Sequence, residues 1–162
     1  NLLTSPGGVV SSFLMRYTSE FTTLNHLYDH DGLKHPPIYT PKLQNKRRIL
    51  YVFGTPDSIA ASIGRRDWLR VQGAKLGSIQ TALSFGGGLK ANFRKAVERQ
   101  VSSFKHAESD DLLILQFEQI WESKERIASF FDLPQREFVK GFPSRKPRSA
   151  EPPICDRYSW FG

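Results

Sequence analysis

The run Arg48-Ile49-Leu50-Tyr51-Val52-Phe53, closed by Gly54-Thr55-Pro56-Asp57, narrows the choice of fold more sharply than any other segment. A strand with one wet face alternates apolar and polar residues. An unbroken apolar run bounded by turn residues instead predicts a strand buried on both faces, as in a parallel sheet covered by helices. The stretch from Asp111 to Phe117, with Leu112-Leu113-Ile114-Leu115 inside it, repeats the pattern. Helical spacing fills the intervals. Val10, Phe13, Leu14, Tyr17, Phe21 and Leu24 recur at three- and four-residue steps and predict a helix to about Asn25. Pro56 and Asp57 open a second helix carrying Ile59, Ala60 and Ile63, with Leu69 further along the same face. Leu89, Phe93, Val97, Val101 and Phe104 mark a third, and Ile120, Ile127, Phe130 and Phe131 a fourth, ended by Leu133-Pro134. Gly73, Gly77 and Gly86-Gly87-Gly88 predict a mobile stretch between the second and third. Alternating strands and helices joined by right-handed crossovers predict an α/β domain: a small, mostly parallel sheet flanked by helices. That domain covers residues 1–141, and 142–162 read as a Pro- and Arg-rich tail. Tyr158, Trp160 and Phe161 predict that the tail end packs on the domain or on a neighbouring subunit.

Composition excludes several classes. At 162 residues with 39% hydrophobic content, the chain suits one domain with its own core and not a disordered tract. Cys155 stands alone, which rules out an internal disulfide and a multi-cysteine zinc site. His26 and His30 are four apart, but Asp29 and Asp31 make that segment read as a polar loop, and no metal is expected. No stretch reaches the ~20 apolar residues of a membrane span, and the residues before Ser5 do not read as a charged-then-apolar leader. The expectation is a soluble cytoplasmic protein without a membrane span. The formal charge of +7 favours anionic partners. Its basic residues are scattered, as in Lys46-Arg47-Arg48, Arg65-Arg66 and Lys90/Arg94/Lys95/Arg99, whereas a nucleic-acid binder more often shows one dense stripe.

The chemistry concentrates where the strands end, because ligands of such sheets sit at the carboxyl ends. Ser5-Pro6-Gly7-Gly8-Val9-Val10-Ser11-Ser12-Phe13-Leu14 follows a short apolar lead, Leu2-Leu3, and runs into the first helix. Glycines let a backbone approach an anion closely, and successive N–H groups at a helix start point towards it. Read this way the segment is a phosphate cradle; the alternative is an ordinary Gly-rich turn leading into a helix. A Walker loop is excluded, since no lysine lies anywhere from Asn1 to Tyr28. Ser58 and Ser62 share a face of the second helix. Without further context Ser62 is simply a small helical residue.

Taken in order, these segments resemble the sulfotransferases, which use 3'-phosphoadenosine 5'-phosphosulfate (PAPS). Pro6 to Leu14 resembles the family's Pro-Lys-Ser-Gly-Thr-Thr-Trp-Leu loop. Leu33-Lys34-His35-Pro36-Pro37 resembles its Lys-Thr-His-Leu-Pro segment, and Tyr51 to Ser62 its Arg-x-Pro-x-Asp-x-x-x-Ser motif. Leu115-Gln116-Phe117-Glu118-Gln119-Ile120 with Ile127-Ala128-Ser129-Phe130-Phe131 is similar to its later strand–helix unit, and Val139 to Arg148 to its closing basic loop. The resemblance implies a three-layer, P-loop-like fold and sulfuryl transfer from PAPS to a hydroxyl or amine, with no metal. It implies His35 as the base and Lys34 as the cation at the transferring group. Gly7, Gly8, Val9, Val10, Ser11 and Ser12 would hold the 5'-phosphosulfate. Phe13 and Phe117 would wall the adenine, and Ser62, Arg145 and Lys146 the 3'-phosphate. The chain departs from the family where charge matters: Gly7 replaces the loop lysine and Gly54 the 3'-phosphate arginine. Each lost charge-assisted contact costs about 1.5–3 kcal/mol, so an inactive relative is one alternative. A small-molecule P-loop kinase and a non-enzymatic basic module binding nucleotide or nucleic acid are others. For Lys34-His35 the plain alternative is a polar turn before two prolines.

Overall fold

The computed structural model describes residues 1–8, 11–45, 47–83 and 87–145. Its elements run β1 (Leu2–Thr4), α1 (Ser11–Thr18), α2 (Pro41–Gln44), β2 (Ile49–Phe53), α3 (Pro56–Gly64), α4 (Leu69–Lys75), α5 (Ile79–Leu83) and α6 (Gly87–Lys105). They continue with β3 (Leu112–Gln116), a 3-10 turn (Phe117–Gln119), α7 (Lys124–Phe130) and α8 (Gln135–Gly141). The three strands form one parallel sheet in the order β1-β2-β3, in register at Leu3↔Leu50 and Val52↔Leu115. Both apolar runs are therefore strands, and both faces of the sheet are covered.

Strand alternation divides the core in two. Leu3, Leu50, Val52, Leu113 and Leu115 meet Leu14 and Tyr17 of α1, Ile59 and Ile63 of α3, Ile127 of α7 and Phe138 of α8. On the opposite face Leu2, Ile49 and Tyr51 meet Leu43 of α2 and Phe104 of α6, with Leu33 and Tyr39 closing the edge. The rings of Tyr51 and Phe104 stack at 3.9 Å, 4° from parallel. The start of α3 is built as its sequence predicts. Thr55 caps it by accepting the Ser58 N–H at 3.2 Å, Pro56 takes the first turn, and Asp57 pairs with Arg94 of α6 at 3.1 Å.

Several elements differ from expectation. The first helix ends at Thr18, not near Asn25. The Ser19 hydroxyl donates to the Arg16 carbonyl at 2.8 Å, the kind of local bond by which Ser and Thr compete with helix continuation. Phe21 and Leu24 still pack on the first core from irregular backbone, which is why the helical period ran on. The predicted mobile stretch holds α4 and α5, which cross at Gly73; a Cβ there would lie 2.2 Å from Thr81 Cγ2. Glycine at that point serves close helix contact and does not break the helix. The fourth helix starts at Lys124, after the 3-10 turn. Pro134 also opens α8, which sequence reading missed and whose Phe138 is fully buried. Phe142, placed at the start of the tail, packs edge-on against Tyr17 at 5.3 Å.

Candidate functional site

The end of β1 gathers the first group of candidate residues. Gly7 and Gly8 adopt φ of +87° and +67°, the left-handed region that glycine enters without strain. The loop is packed from below: Gln72 of α4 donates to the Pro6 carbonyl at 3.2 Å, and the Cβ that Gly7 lacks would fall 2.8 Å from Gln72 Nε2. A Cβ on Gly8 would meet the Ile59 carbonyl and Ile63 of α3, both at 3.1 Å. The Gly7 N–H is already taken, donating to Ser5 Oγ at 3.2 Å. The Gly7 N–H is therefore not offered to an anion. Ser12 is exposed in the first turn of α1 and Phe13 is half-buried, edge-on to Phe142 at 6.3 Å. Ser11 is the first residue of α1, while Val9, Val10 and Lys146 lie outside the described residues.

Lys34 and His35 dock directly onto this strand end. The Ser5 N–H donates to the Lys34 carbonyl at 2.9 Å, and His35 Nδ1 lies 2.7 Å from the Ser5 carbonyl. A carbonyl only accepts, so Nδ1 carries the proton and Nε2 is left with its lone pair. Burial pushes the His35 pKa below its ordinary value; the Ser5 carbonyl and the Asp29 carboxylate oppose that shift without cancelling it. The imidazole is thus neutral at pH 7, in the tautomer that a base at Nε2 needs. From further back in the same loop, the Asn25 amide accepts the Leu3 N–H at 2.8 Å and donates to the Leu3 carbonyl at 3.2 Å. Asn25, Lys34 and His35 together occupy the outer side of β1.

The Lys34 side chain is buried, 5% exposed. Its ammonium donates to Ser12 Oγ at 2.9 Å and to the Leu27 carbonyl at 2.7 Å. Among the described residues no carboxylate lies within ion-pair distance of it. Burial lowers its pKa, Asp29 partly offsets this, and Lys75 and Arg16 add to the lowering. Two motifs separated by 22 residues in sequence therefore meet at one hydrogen bond.

Sequence reading missed the residues that hold this pair. Asp29, at φ +63°, accepts the Lys34 N–H at 2.9 Å and the Lys75 ammonium of α4 at 2.7 Å. Burial alone would raise its pKa, but these hydrogen bonds outweigh it and hold the carboxyl below its ordinary value. From the opposite face of the sheet, Gln100 of α6 accepts the Tyr51 hydroxyl at 3.1 Å and donates to the Pro36 carbonyl. An Asp in a loop or a Gln on a buried helix face carries no pattern, so only the positive-φ preference of Asp29 offered a signal.

The remaining candidates lie elsewhere. Ser62 sits half-buried on α3, one residue from the Ile63 that packs under Gly8. Phe117 is a core residue, 5% exposed and edge-on to Trp121 at 5.3 Å, so its ring faces are not offered to solvent. Trp121, half-buried, donates to the Pro143 carbonyl at 3.1 Å and lies 5.4 Å beneath the Arg145 guanidinium. Since Phe142 contacts Phe13, the segment 142–145 joins the start of α1 to the loop after β3. No three His, Cys, Asp or Glu side chains converge to hold a metal among the described residues. None of the described helices is long and apolar enough to cross a membrane. No family model, curated protein or solved structure matches the chain.

Proposed function

We propose that the protein transfers a sulfuryl group from PAPS to a hydroxyl or amine acceptor. One observation carries the reading: a buried ammonium, Lys34, held by neutral oxygens and lacking a carboxylate among the described residues, stands next to a neutral histidine whose Nε2 has no partner among them. A buried cation is costly unless an anion joins it, so this arrangement favours an anionic ligand at Ser12 and Lys34. Bound PAPS supplies the sulfuryl group and, after the S–O bond to its 5'-phosphate breaks, leaves as 3',5'-adenosine bisphosphate. His35 Nε2 accepts the acceptor's proton as the acceptor oxygen or nitrogen bonds to sulfur. Lys34 and the Ser12 hydroxyl stabilise negative charge building on the leaving oxygen, without moving a proton themselves. Phe13 is the candidate for the adenine, with Trp121 taking the place proposed from sequence for Phe117. Ser62 and Arg145 are the candidates for the 3'-phosphate.

The test is a thermal-shift and calorimetric panel on the full chain. At a hundredfold excess over Kd, 3',5'-adenosine bisphosphate should stabilise by about 2.7 kcal/mol, and Lys34→Met should weaken its binding tenfold or more. Stabilisation by magnesium–ATP alone would turn the reading to a kinase. Salt-dependent binding of an oligonucleotide, with no response to the bisphosphate, would turn it to a basic binding module.

A further inference from the structure

Beside α1 lies an open cavity of about 310 Å³, at the small end of the range for ligand sites. Met15, Leu24 and Leu27 give it apolar walls, and Arg16, His26 and Tyr28 are among the other residues that line it. Three features set it apart from an ordinary surface dent. Arg16 is exposed and forms no ion pair among the described residues, so its fork of donors is free for a carboxylate. Tyr28 is 67% exposed and stands 5.9 and 6.2 Å from the rings of His26 and His30, which stack at 4.2 Å and 14°. The loop under these rings is pinned, and the His26 ring is tied to the backbone. Asp31 accepts the His26 N–H at 2.7 Å and the Leu33 N–H at 3.1 Å, and the Tyr28 N–H donates to His26 Nδ1 at 3.2 Å. A cluster of exposed aromatic rings on a pinned loop offers a face to a flat ligand.

We propose that this cavity binds a small ring-bearing carboxylate, its ring between the apolar wall and Tyr28 and its carboxylate on Arg16. Leu27 gives the cavity its continuity with the proposed reaction centre: it lines the cavity, and its carbonyl accepts the Lys34 ammonium. The occupant is then the sulfuryl acceptor, presenting its hydroxyl towards Lys34 and His35. That role rests on the function proposed above; the binding does not.

The full chain is titrated with 4-hydroxybenzoate, without nucleotide, and followed by calorimetry and amide chemical shifts. Shifts should concentrate at Met15, Arg16 and residues 24–28, and the neutral 4-hydroxybenzamide should bind at least tenfold more weakly. Arg16→Gln, an exposed replacement, should leave the melting temperature unchanged and reduce benzoate affinity tenfold or more. Tyr28→Ala should weaken acid and amide alike. Equal affinity for acid and amide, shifts scattered away from the cavity, or unchanged binding in Arg16→Gln would overturn the proposal. Benzoate binding without a response to 3',5'-adenosine bisphosphate would keep the cavity and remove the transferase reading. A response to the bisphosphate without benzoate binding would do the reverse.

Discussion

His35 has two separable jobs, and a substitution can tell them apart. Nδ1 ties the segment to Ser5, while Nε2 is the free nitrogen. Asparagine places a donor near the Nδ1 position and has nothing at Nε2. His35→Asn should therefore keep the fold and lower turnover by about a hundredfold or more, in the range expected for loss of a general base. A stopped assay with labelled donor, alongside a melting curve, checks both. Stability should respond to pH as well. Because burial lowers the folded-state pKa, the unfolded chain takes up this proton first as pH falls below the ordinary 6.5. Wild type should lose stability from there down to the folded pKa, by at most about 1.4 kcal/mol per pH unit. The asparagine variant lacks that contribution, so the difference between the two denaturation series should narrow over this window. Lys34 behaves alike at the alkaline end. Its lowered pKa means the native state sheds the proton first, so stability rises with pH below the ordinary 10.5, and Lys34→Met should remove that rise. Only part of this was legible at the outset. The Lys34-His35 pair is visible as residues, but its supports, Asp29, Asn25 and Gln100, come from a loop, a turn and a buried helix face. None of these has a spacing that announces it.

Among elements, strands and the long helix were readable, since burial on both faces of the sheet writes itself as continuous apolar runs. Boundaries were less so. Phe21 and Leu24 face the core from a segment that is not helical, and periodicity reports the facing, not the backbone. Gly73 misled in the other direction, because glycine signals both a broken helix and a tight crossing. The crossing makes a definite claim. Gly73→Ala gains up to about 1 kcal/mol of helix propensity, yet puts a methyl 2.2 Å from Thr81 Cγ2. The net effect should be destabilising by about 2 kcal/mol, in the range of overpacked cores, measurable as a lower urea midpoint. Gln72, which supports the Pro6 carbonyl from the same helix, carries that disturbance to the glycine loop. Bisphosphate affinity should fall in this variant even at temperatures where it is fully folded.

For the molecule as a whole, the two cores are unequal. Most buried side chains lie on the α1, α3, α7 and α8 face, while the other face depends on Leu2, Leu43, Ile49, Tyr51 and Phe104. Phe104 fills that smaller layer from α6, against the ring of Tyr51. Phe104→Ala should cost about 3–5 kcal/mol, the usual range for a buried aromatic. A global loss of cooperativity in calorimetry, not a local change, is the expected readout. Charge at this scale was legible in amount but not in use. Of the positive side chains, Arg48, Lys75 and Arg94 are engaged with Asp132, Asp29 and Asp57. Lys34 is buried and has no such partner among the described residues.

The outer side of β1 carries one last consequence. Leu3 is saturated by the two ends of the Asn25 amide, and Ser5 by the Lys34 carbonyl and the His35 ring. A peptide in extended conformation, from this chain or another, meets no vacant main-chain donor or acceptor there. Among the described residues, that edge of the sheet is closed to a further strand.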